Sequence, residues 1–237
     1  MADQPLQVKQ FRYASDNLGY LIYGQNSAMA IDGGAVDEMR EFIDANAIRL
    51  DYVTQTHTHP DHMLGHQPLM DHTGAAHLDS QALSNAKELA LEGQKIQVYQ
   101  TPGHTKDSVV FYTADALLTG DTLFNGNVGS CFFGGMQQFF ESIKRIMDFP
   151  NQTRIYAGHD YVTYSMKVAK LIEPLNSDID LFLEKYDPDC VCSSLEEERK
   201  INPFLRFNHR AIISILKAKA LPHATEYERW VSVMSLP

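Results

Sequence analysis

The chain has 237 residues, of which 44% are hydrophobic and 21% are charged, a composition typical of a globular protein with a substantial core. Its formal net charge of −10 at pH 7 argues against a protein that binds nucleic acid through a basic surface. No apolar run approaches about 18 residues and no signal-peptide pattern follows Met1. The three cysteines are an odd set, and Cys190 and Cys192 are too close for an easy mutual disulfide, so we expect reduced thiols and a cytoplasmic protein. The lack of a long apolar run predicts no membrane partner.

Short strands separated by turns dominate the first 160 residues. We predict strands over 8–13, 19–24, 28–32, 50–55, 75–78, 96–100, 108–113, 116–119 and 154–157, and helices over 35–47, 66–72, 80–91 and 137–149. The pattern after residue 162 is helical, with segments over 163–173, 177–187, 208–220 and 225–234. Strands that alternate with helices indicate an α/β fold in which helices cover two sheets. We divide the chain into a catalytic domain over 1–162 and a helical C-terminal region over 163–237.

Three histidines and one aspartate fall within six positions directly after a predicted strand: His57, His59, Asp61 and His62. Pro60 prevents a helix from running through this segment, so we expect a loop at the end of the strand. His57 and His59 point the same way if the backbone is extended, whereas Asp61 and His62 can reach a second position. The pattern therefore predicts two metal ions, which two-metal hydrolases hold about 3.5–4 Å apart.

Three further residues that can bind metal lie at the ends of predicted strands, each after a glycine: His104, Asp121 and His159. Glycine permits tight turns and a close approach of the backbone to an ion. Each residue alone is also typical of an ordinary turn, but their combination with the histidine cluster favours a metal site. A structural zinc site built from cysteines is disfavoured, because no cysteine lies near a histidine pair at zinc-finger spacing.

Together these motifs resemble the metallo-β-lactamase superfamily, and within it the glyoxalase II (hydroxyacylglutathione hydrolase) branch. The resemblance spans about residues 8–210 and rests on segments 56–62, 101–105, 119–124, 156–161 and 202–206. It implies an αββα sandwich with a metal site at one sheet edge. It also implies that His57, His59 and His104 bind a first ion, that Asp61, His62 and His159 bind a second, and that Asp121 bridges both. Asp32 matches an acidic residue beneath the site, and equally matches an ordinary turn residue.

Two divalent ions would lower the pKa of a shared water from ~15.7 toward ~7 and would polarise a carbonyl oxygen. The bridging hydroxide would attack a thioester, ester or lactone carbonyl, with Asp61 and Asp121 as the catalytic carboxylates and no Ser or Cys nucleophile. Nitrogen and oxygen ligands suit zinc, iron or manganese, and we take zinc as the favoured metal.

Substrate recognition is where the sequence departs from glyoxalase II. Members of that branch place a cation immediately before an aromatic pair, where it contacts the glutathione carboxylate. This chain has Cys131 in that place, followed by Phe132 and Phe133. Tyr161 keeps a tyrosine of the family, and Arg210 is the remaining basic candidate. The resemblance therefore assigns these five residues to a substrate pocket that lacks the usual cation.

The leading hypothesis is a hydrolase of small-molecule thioesters with two metal ions and S-(2-hydroxyacyl)glutathione as the favoured substrate. A lactone or other ester hydrolase of the same fold is the first alternative, because Cys131 replaces the cation. The missing export signal disfavours a β-lactamase, and the acidic net charge disfavours a relative that processes nucleic acid. The complete set of ligands for a second ion disfavours a persulfide dioxygenase. A non-catalytic metal-binding or redox-partner protein is the alternative from another class. The sequence leaves the oligomeric state open.

Overall fold

The computed structural model describes residues 4–133 and 135–236. A first sheet has five strands in the order β1-β2-β3-β4-β5. These are β1 (Gln7–Tyr13), β2 (Asn17–Tyr23), β3 (Ser27–Ile31), β4 (Arg49–Thr54) and β5 (Ala76–His77). Strands β3, β4 and β5 run parallel, so helices must carry the chain back between them. These helices are α1 (Val36–Ala45), α2 (Pro60–Met63) and α3 (His66–Thr73).

A second sheet has six strands, which follow the short helix α4 (Ser80–Ala86). Its strands are β6 (Glu88–Leu91), β7 (Gln94–Gln100), β8 (Val109–Thr113), β9 (Ala116–Gly120), β12 (Arg154–Ala157) and β13 (Ser193–Ser194). The strands β6 to β9 form an antiparallel meander, and β12 then pairs parallel with β9. Between β9 and β12 the chain forms a small hairpin, β10 (Leu123–Phe124) and β11 (Asn127–Val128), and the helix α5 (Met136–Met147).

The C-terminal part is mainly helical. Its helices are α6 (Val162–Ile172), α7 (Ser177–Glu184), α8 (Leu195–Ile201), α9 (Arg210–Ala218) and α10 (Glu226–Met234). Strand β13 joins this part to the second sheet, because it pairs antiparallel with β12. Among the described residues, no helix has the length and apolar character needed to span a bilayer.

Three apolar cores separate the layers. Ile22 and Phe111 belong to the core between the two sheets. Because successive strand residues face opposite sides, the neighbouring Leu21 lies in a second core under α1 and α3. Val110 likewise lies in a third core, with Trp230 of α10 and residues of α5 and α9. The order of layers is helix, sheet, sheet, helix, which confirms the predicted αββα sandwich.

Three local predictions were wrong. The predicted helix over 80–91 ends at Ala86, because Lys87 adopts a left-handed conformation (φ 67°) and β6 follows. The segment after His59 is the short helix α2 instead of a loop, with Pro60 at its first position, where the missing N–H costs nothing. Helix α8 and the short strands β10, β11 and β13 lie where no element was predicted.

Candidate metal centre

The seven side chains predicted as metal ligands converge at one edge of the sandwich. Each follows the C-terminal end of a strand: β4, β7, β9 or β12. They form two groups, one of His57, His59, His104 and Asp121 and the other of Asp61, His62 and His159. Within each group the available ligand atoms lie within 4.8 Å of one another. Apart from Asp121, which the sequence assigns to both ions, the groups contain the same residues as the two predicted ligand sets, and the fold brings residues about 100 positions apart into one cluster.

In the first group three imidazole nitrogens face one another. Nδ1 of His59 lies 2.8 Å from Nε2 of His57 and 3.0 Å from Nε2 of His104. The outer nitrogens of two of these rings are held by hydrogen bonds. Nδ1 of His57 lies 3.1 Å from the hydroxyl of Thr56, and Nδ1 of His104 lies 2.9 Å from the carbonyl oxygen of Ser130. Outer partners of this kind fix the tautomer that leaves the inner nitrogen able to bind metal.

Asp121 lies between the two groups. Its Oδ2 atom is 3.5 Å from Nε2 of His104 and 3.5 Å from Nε2 of His159, and its Oδ1 atom is 3.4 Å from Nε2 of His62. On the far side, Oδ2 of Asp61 is 3.4 Å from Nε2 of His159. Asp121 therefore faces histidines of both groups.

The donor set fits divalent metal ions. Nε2 of His62 and Oδ1 of Asp121 are buried and have no hydrogen-bond partner in the described part of the chain. Buried polar atoms are normally paired, and these two face each other across the space between the groups. A cation bound there would pair both atoms. Imidazole and carboxylate donors suit zinc, iron or manganese.

The charges of the cluster also favour cation binding. Burial lowers the pKa of His57 to about 4, so this ring is neutral and can donate an electron pair. Burial opposes the charged form of His62, but nearby carboxylates, Asp32 above all, raise its pKa to about 9. Although burial disfavours the Asp121 carboxylate, His159 and His62 hold its pKa well below the usual range. A metal at His62 would replace a proton, so binding there releases one.

Asp32 lies beneath the cluster and is 1% exposed. Its Oδ2 accepts hydrogen bonds from Nδ1 of His62 at 2.9 Å and from the hydroxyl of Thr56 at 2.8 Å. Its Oδ1 accepts a third, from the backbone N–H of Thr56 at 2.7 Å. It also occupies a turn, with φ 52°. Asp32 therefore orients His62 and, through Thr56, His57.

Comparisons with known proteins agree with this geometry. Residues 17–83 match the family model of the metallo-β-lactamase superfamily. The curated hydroxyacylglutathione hydrolase of Brucella ovis is 30% identical over 241 residues, which cover 93% of this chain and 94% of that protein. The chain belongs to the metallo-β-lactamase superfamily. The corresponding hydrolase of Idiomarina loihiensis is 29% identical over 205 residues, 80% of this chain and 81% of that one.

Solved structures show the same metallo-β-lactamase fold. The crystal structure of ETHE1 from Myxococcus xanthus matches 95% of this chain and 99% of its own, with a TM-score of 0.64 and 24% identity. A metallo-beta-lactamase from Staphylococcus aureus matches 97% and 72%, with a TM-score of 0.65 and 21% identity. Family and fold together make the chain a metal-dependent hydrolase.

In this chain, a cavity of about 270 Å³ lies beside the candidate metal centre. It is lined by Phe124, Asn127, Val128, Gly129, Ser130, Tyr161, Tyr164, Val168, Phe204, Met234 and Leu236. Tyr161 stacks on the ring of His159 at 4.9 Å, with 6° between the planes. Among the described residues no charged side chain lines this cavity, and its wall combines aromatic, aliphatic and neutral polar side chains.

The other predicted substrate residues lie at different distances from the centre. Phe132 is 63% exposed and its ring lies 5.4 Å from the ring of His104, so it borders the first group. Phe133 is also exposed. Cys131 is partly buried and packs against the third core. Arg210 is the exposed first residue of α9 and does not line the cavity beside Tyr161.

A buried carboxylate fixes the hairpin that forms one wall of the cavity. Glu198 of α8 is fully buried and accepts hydrogen bonds from the N–H of Gly126 at 3.0 Å, the hydroxyl of Ser193 at 2.6 Å and the amide of Asn202 at 2.8 Å. Asn202 also donates to the carbonyl of Asn127 at 3.1 Å. Asn202 thus supports the hairpin behind the cavity wall, and Phe204 of the same segment lines the cavity itself.

Sequence reasoning missed three residues of the turn between β1 and β2 that reach the second group: Tyr13, Asp16 and Asn17. Asp and Asn are common in turns, so their types alone gave no functional signal. Only the folded chain shows that this turn lies beside residues more than 40 positions further on.

Proposed function

We propose that the protein holds two divalent metal ions and hydrolyses small-molecule thioesters, with S-(2-hydroxyacyl)glutathione as the favoured substrate. The observation that carries the two-ion proposal is the position of Asp121, whose carboxylate lies within 3.5 Å of histidines from both groups. The names of the curated relatives, hydroxyacylglutathione hydrolases about 30% identical to this chain, support the substrate class.

The proposed ligands divide as the sequence predicts. His57, His59 and His104 would hold the first ion, Asp61, His62 and His159 the second, and Asp121 both. Zinc is favoured, and iron or manganese also suits these donors. When bound, such ions would activate a water molecule and polarise the carbonyl oxygen of the substrate. The chain itself would orient the ligands through Asp32 and would position the acyl group against Tyr161 and Phe132.

The uncharged cavity favours a second candidate function, the hydrolysis of lactones or other neutral esters. Glutathione carries carboxylates, and a lost hydrogen bond to a charged group costs about 1.5–3 kcal/mol. Lys144, one cation that could have replaced the missing one, instead pairs with Glu226 at 2.6 Å. A substrate without a carboxylate needs no cation at position 131 and no contact from Lys144. A cytoplasmic location and the absence of a nucleic-acid partner stay predictions from the sequence.

The two functions separate in one experiment. Purified protein is reconstituted with zinc, iron or manganese, its metal content is measured, and S-lactoylglutathione, simple acyl thioesters and lactones are assayed under the same conditions. We expect close to two ions per chain and turnover of thioesters. Turnover of lactones alone would favour the second candidate. Protein that binds two ions and hydrolyses none of these substrates would contradict both.

A further inference from the structure

The turn between β1 and β2 contacts the second group of proposed ligands. Oδ1 of Asp16 accepts a hydrogen bond from Nδ1 of His159 at 2.8 Å. The side-chain amide of Asn17 donates to Oδ2 of Asp61 at 2.8 Å. The hydroxyl of Tyr13 donates to the backbone carbonyl of Asp61 at 3.1 Å. Two of the three ligands in this group therefore take a hydrogen bond from one turn: His159 on its outer nitrogen, and Asp61 on Oδ2, the oxygen that also faces His159.

Backbone hydrogen bonds hold the turn in place on both sides of His159. The N–H of Leu18 donates to the carbonyl of Gly158 at 2.8 Å, and the N–H of Asp160 donates to the carbonyl of Asp16 at 2.8 Å. Arg12, just before the turn, also forms an ion pair with Asp160 at 2.5 Å. The position of the Asp16 carboxylate relative to the His159 ring is thus fixed by the fold.

The first group has different supports. Thr56 and Ser130 hold the outer nitrogens of His57 and His104. In residues 4–133 and 135–236, no hydrogen bond joins the turn to a ligand of the first group. The Asp61 side chain is 41% exposed and that of Asp16 is 37% exposed. Asp32 supports a ligand of each group, but the side chains of the turn support the second group.

We propose that Asp16 and Asn17 are positioning residues that set the affinity of the second metal ion and leave the first unaffected. This inference rests on the two-ion site of the proposed function. Asp16 fixes the His159 tautomer whose Nε2 faces the ions and makes that ring a stronger donor, and Asn17 fixes the Asp61 carboxylate. Removing outer partners of this kind typically weakens metal binding about 10–100-fold.

The test is a zinc titration of metal-free protein in competition with a chromophoric chelator, which yields two stepwise dissociation constants. In Asp16→Ala and Asn17→Ala we expect the second constant to rise about 10–100-fold. The first constant should change by no more than about twofold, because neither side chain forms a hydrogen bond to a ligand of the first group. Asp16→Asn keeps an acceptor without the charge and should give a smaller rise. Asp37→Asn, an exposed carboxylate of α1, is the matched control and should change neither constant.

Thermal unfolding of the metal-free variants shows whether they remain folded. Because the Asp16 side chain is partly exposed, Asp16→Ala and Asp16→Asn should disturb folding less than Asn17→Ala. Equal weakening of both ions, or an unchanged second constant, would overturn the inference, and so would wild-type protein that binds a single ion. Wild-type protein that binds two ions but hydrolyses no thioester refutes the proposed substrate, while the difference between the two constants still supports the role of the turn.

Discussion

Gly158 precedes His159 and lies directly against the carboxylate of Asp121. A Cβ atom built on Gly158 would overlap Oδ1 of Asp121 and would lie 2.9 Å from Cε1 of His62 and 3.1 Å from the carbonyl carbon of Gly120. All three atoms belong to the wall of the metal centre. Gly158→Ala therefore introduces a single methyl group at the point where the proposed bridging carboxylate must sit.

The size of the disturbance follows from these contacts. Ordinary carbon contacts are about 3.5–4.0 Å, so the His62 ring must retreat by about half an ångström and the Asp121 oxygen by about 1 Å. Zinc–oxygen bonds are about 2.0–2.2 Å long, so a shift of this size removes the oxygen from an ion. A misplacement of about 1 Å in an active site can cost about 10²-fold in rate.

We expect Gly158→Ala to lose at least about 10²-fold in kcat/KM for thioesters and to retain fewer than two ions per chain. Metal analysis and steady-state kinetics measure both effects. Gly135→Ala is the control, because a Cβ there meets its nearest atom, the N of Gln137, at 3.9 Å. A Gly158→Ala protein with two ions and full activity would show that the Asp121 carboxylate does not need its present position.

Three further outcomes are expected. Asp121→Ala should lose both ions and most activity, whereas His159→Ala should lose mainly the second ion. Equal and independent metal loss in the two variants would contradict the assignment of Asp121 as the ligand that bridges both ions. Cys131→Arg should lower KM for glutathione thioesters and leave simple acyl thioesters unaffected, because a distant carboxylate contact contributes mainly to binding; improvement for neither would show that the position does not face the substrate. Burial raises the pKa of Glu198 from 4.5 to about 7, so the folded chain keeps a proton that the unfolded chain loses. The free energy of unfolding should therefore fall as pH rises between these values, by up to about 3 kcal/mol, and Glu198→Gln should lack this decrease in denaturant titrations at pH 5 and pH 7.5.

The layers and the clustering of the seven proposed ligands were predictable because both depend on local patterns. Alternating apolar residues mark the strands, and a polar residue after each strand end falls on one sheet edge. Helix α8 was missed because its buried face contains Glu198 between Leu195 and Ile201, so the apolar period is interrupted by a charge. Its capping box, Ser194 and Glu197, was the available signal.

Contacts between distant segments were beyond the reach of such patterns. Nothing in the Asp16 and Asn17 positions distinguishes them from ordinary turn residues until β1 and β2 are packed against β12. The cavity wall has the same origin, since it combines Phe124, Tyr161 and Met234 from separate parts of the chain. The sequence shows that Cys131 stands where relatives place a cation. Only the folded chain shows that Lys144 does not replace that cation, because Lys144 pairs with Glu226.

The metal centre takes its side chains from both sheets. Asp61 and His62 follow β4 of the first sheet, and Asp121 and His159 follow β9 and β12 of the second. Bound ions would therefore act as cross-links between the sheets, and their binding free energy would become resistance to separating them. Chelation would loosen this edge of the sandwich first, while the apolar core between the sheets still holds the opposite edge. Amide hydrogen exchange at the ends of β4 and β9 would report that opening before global unfolding.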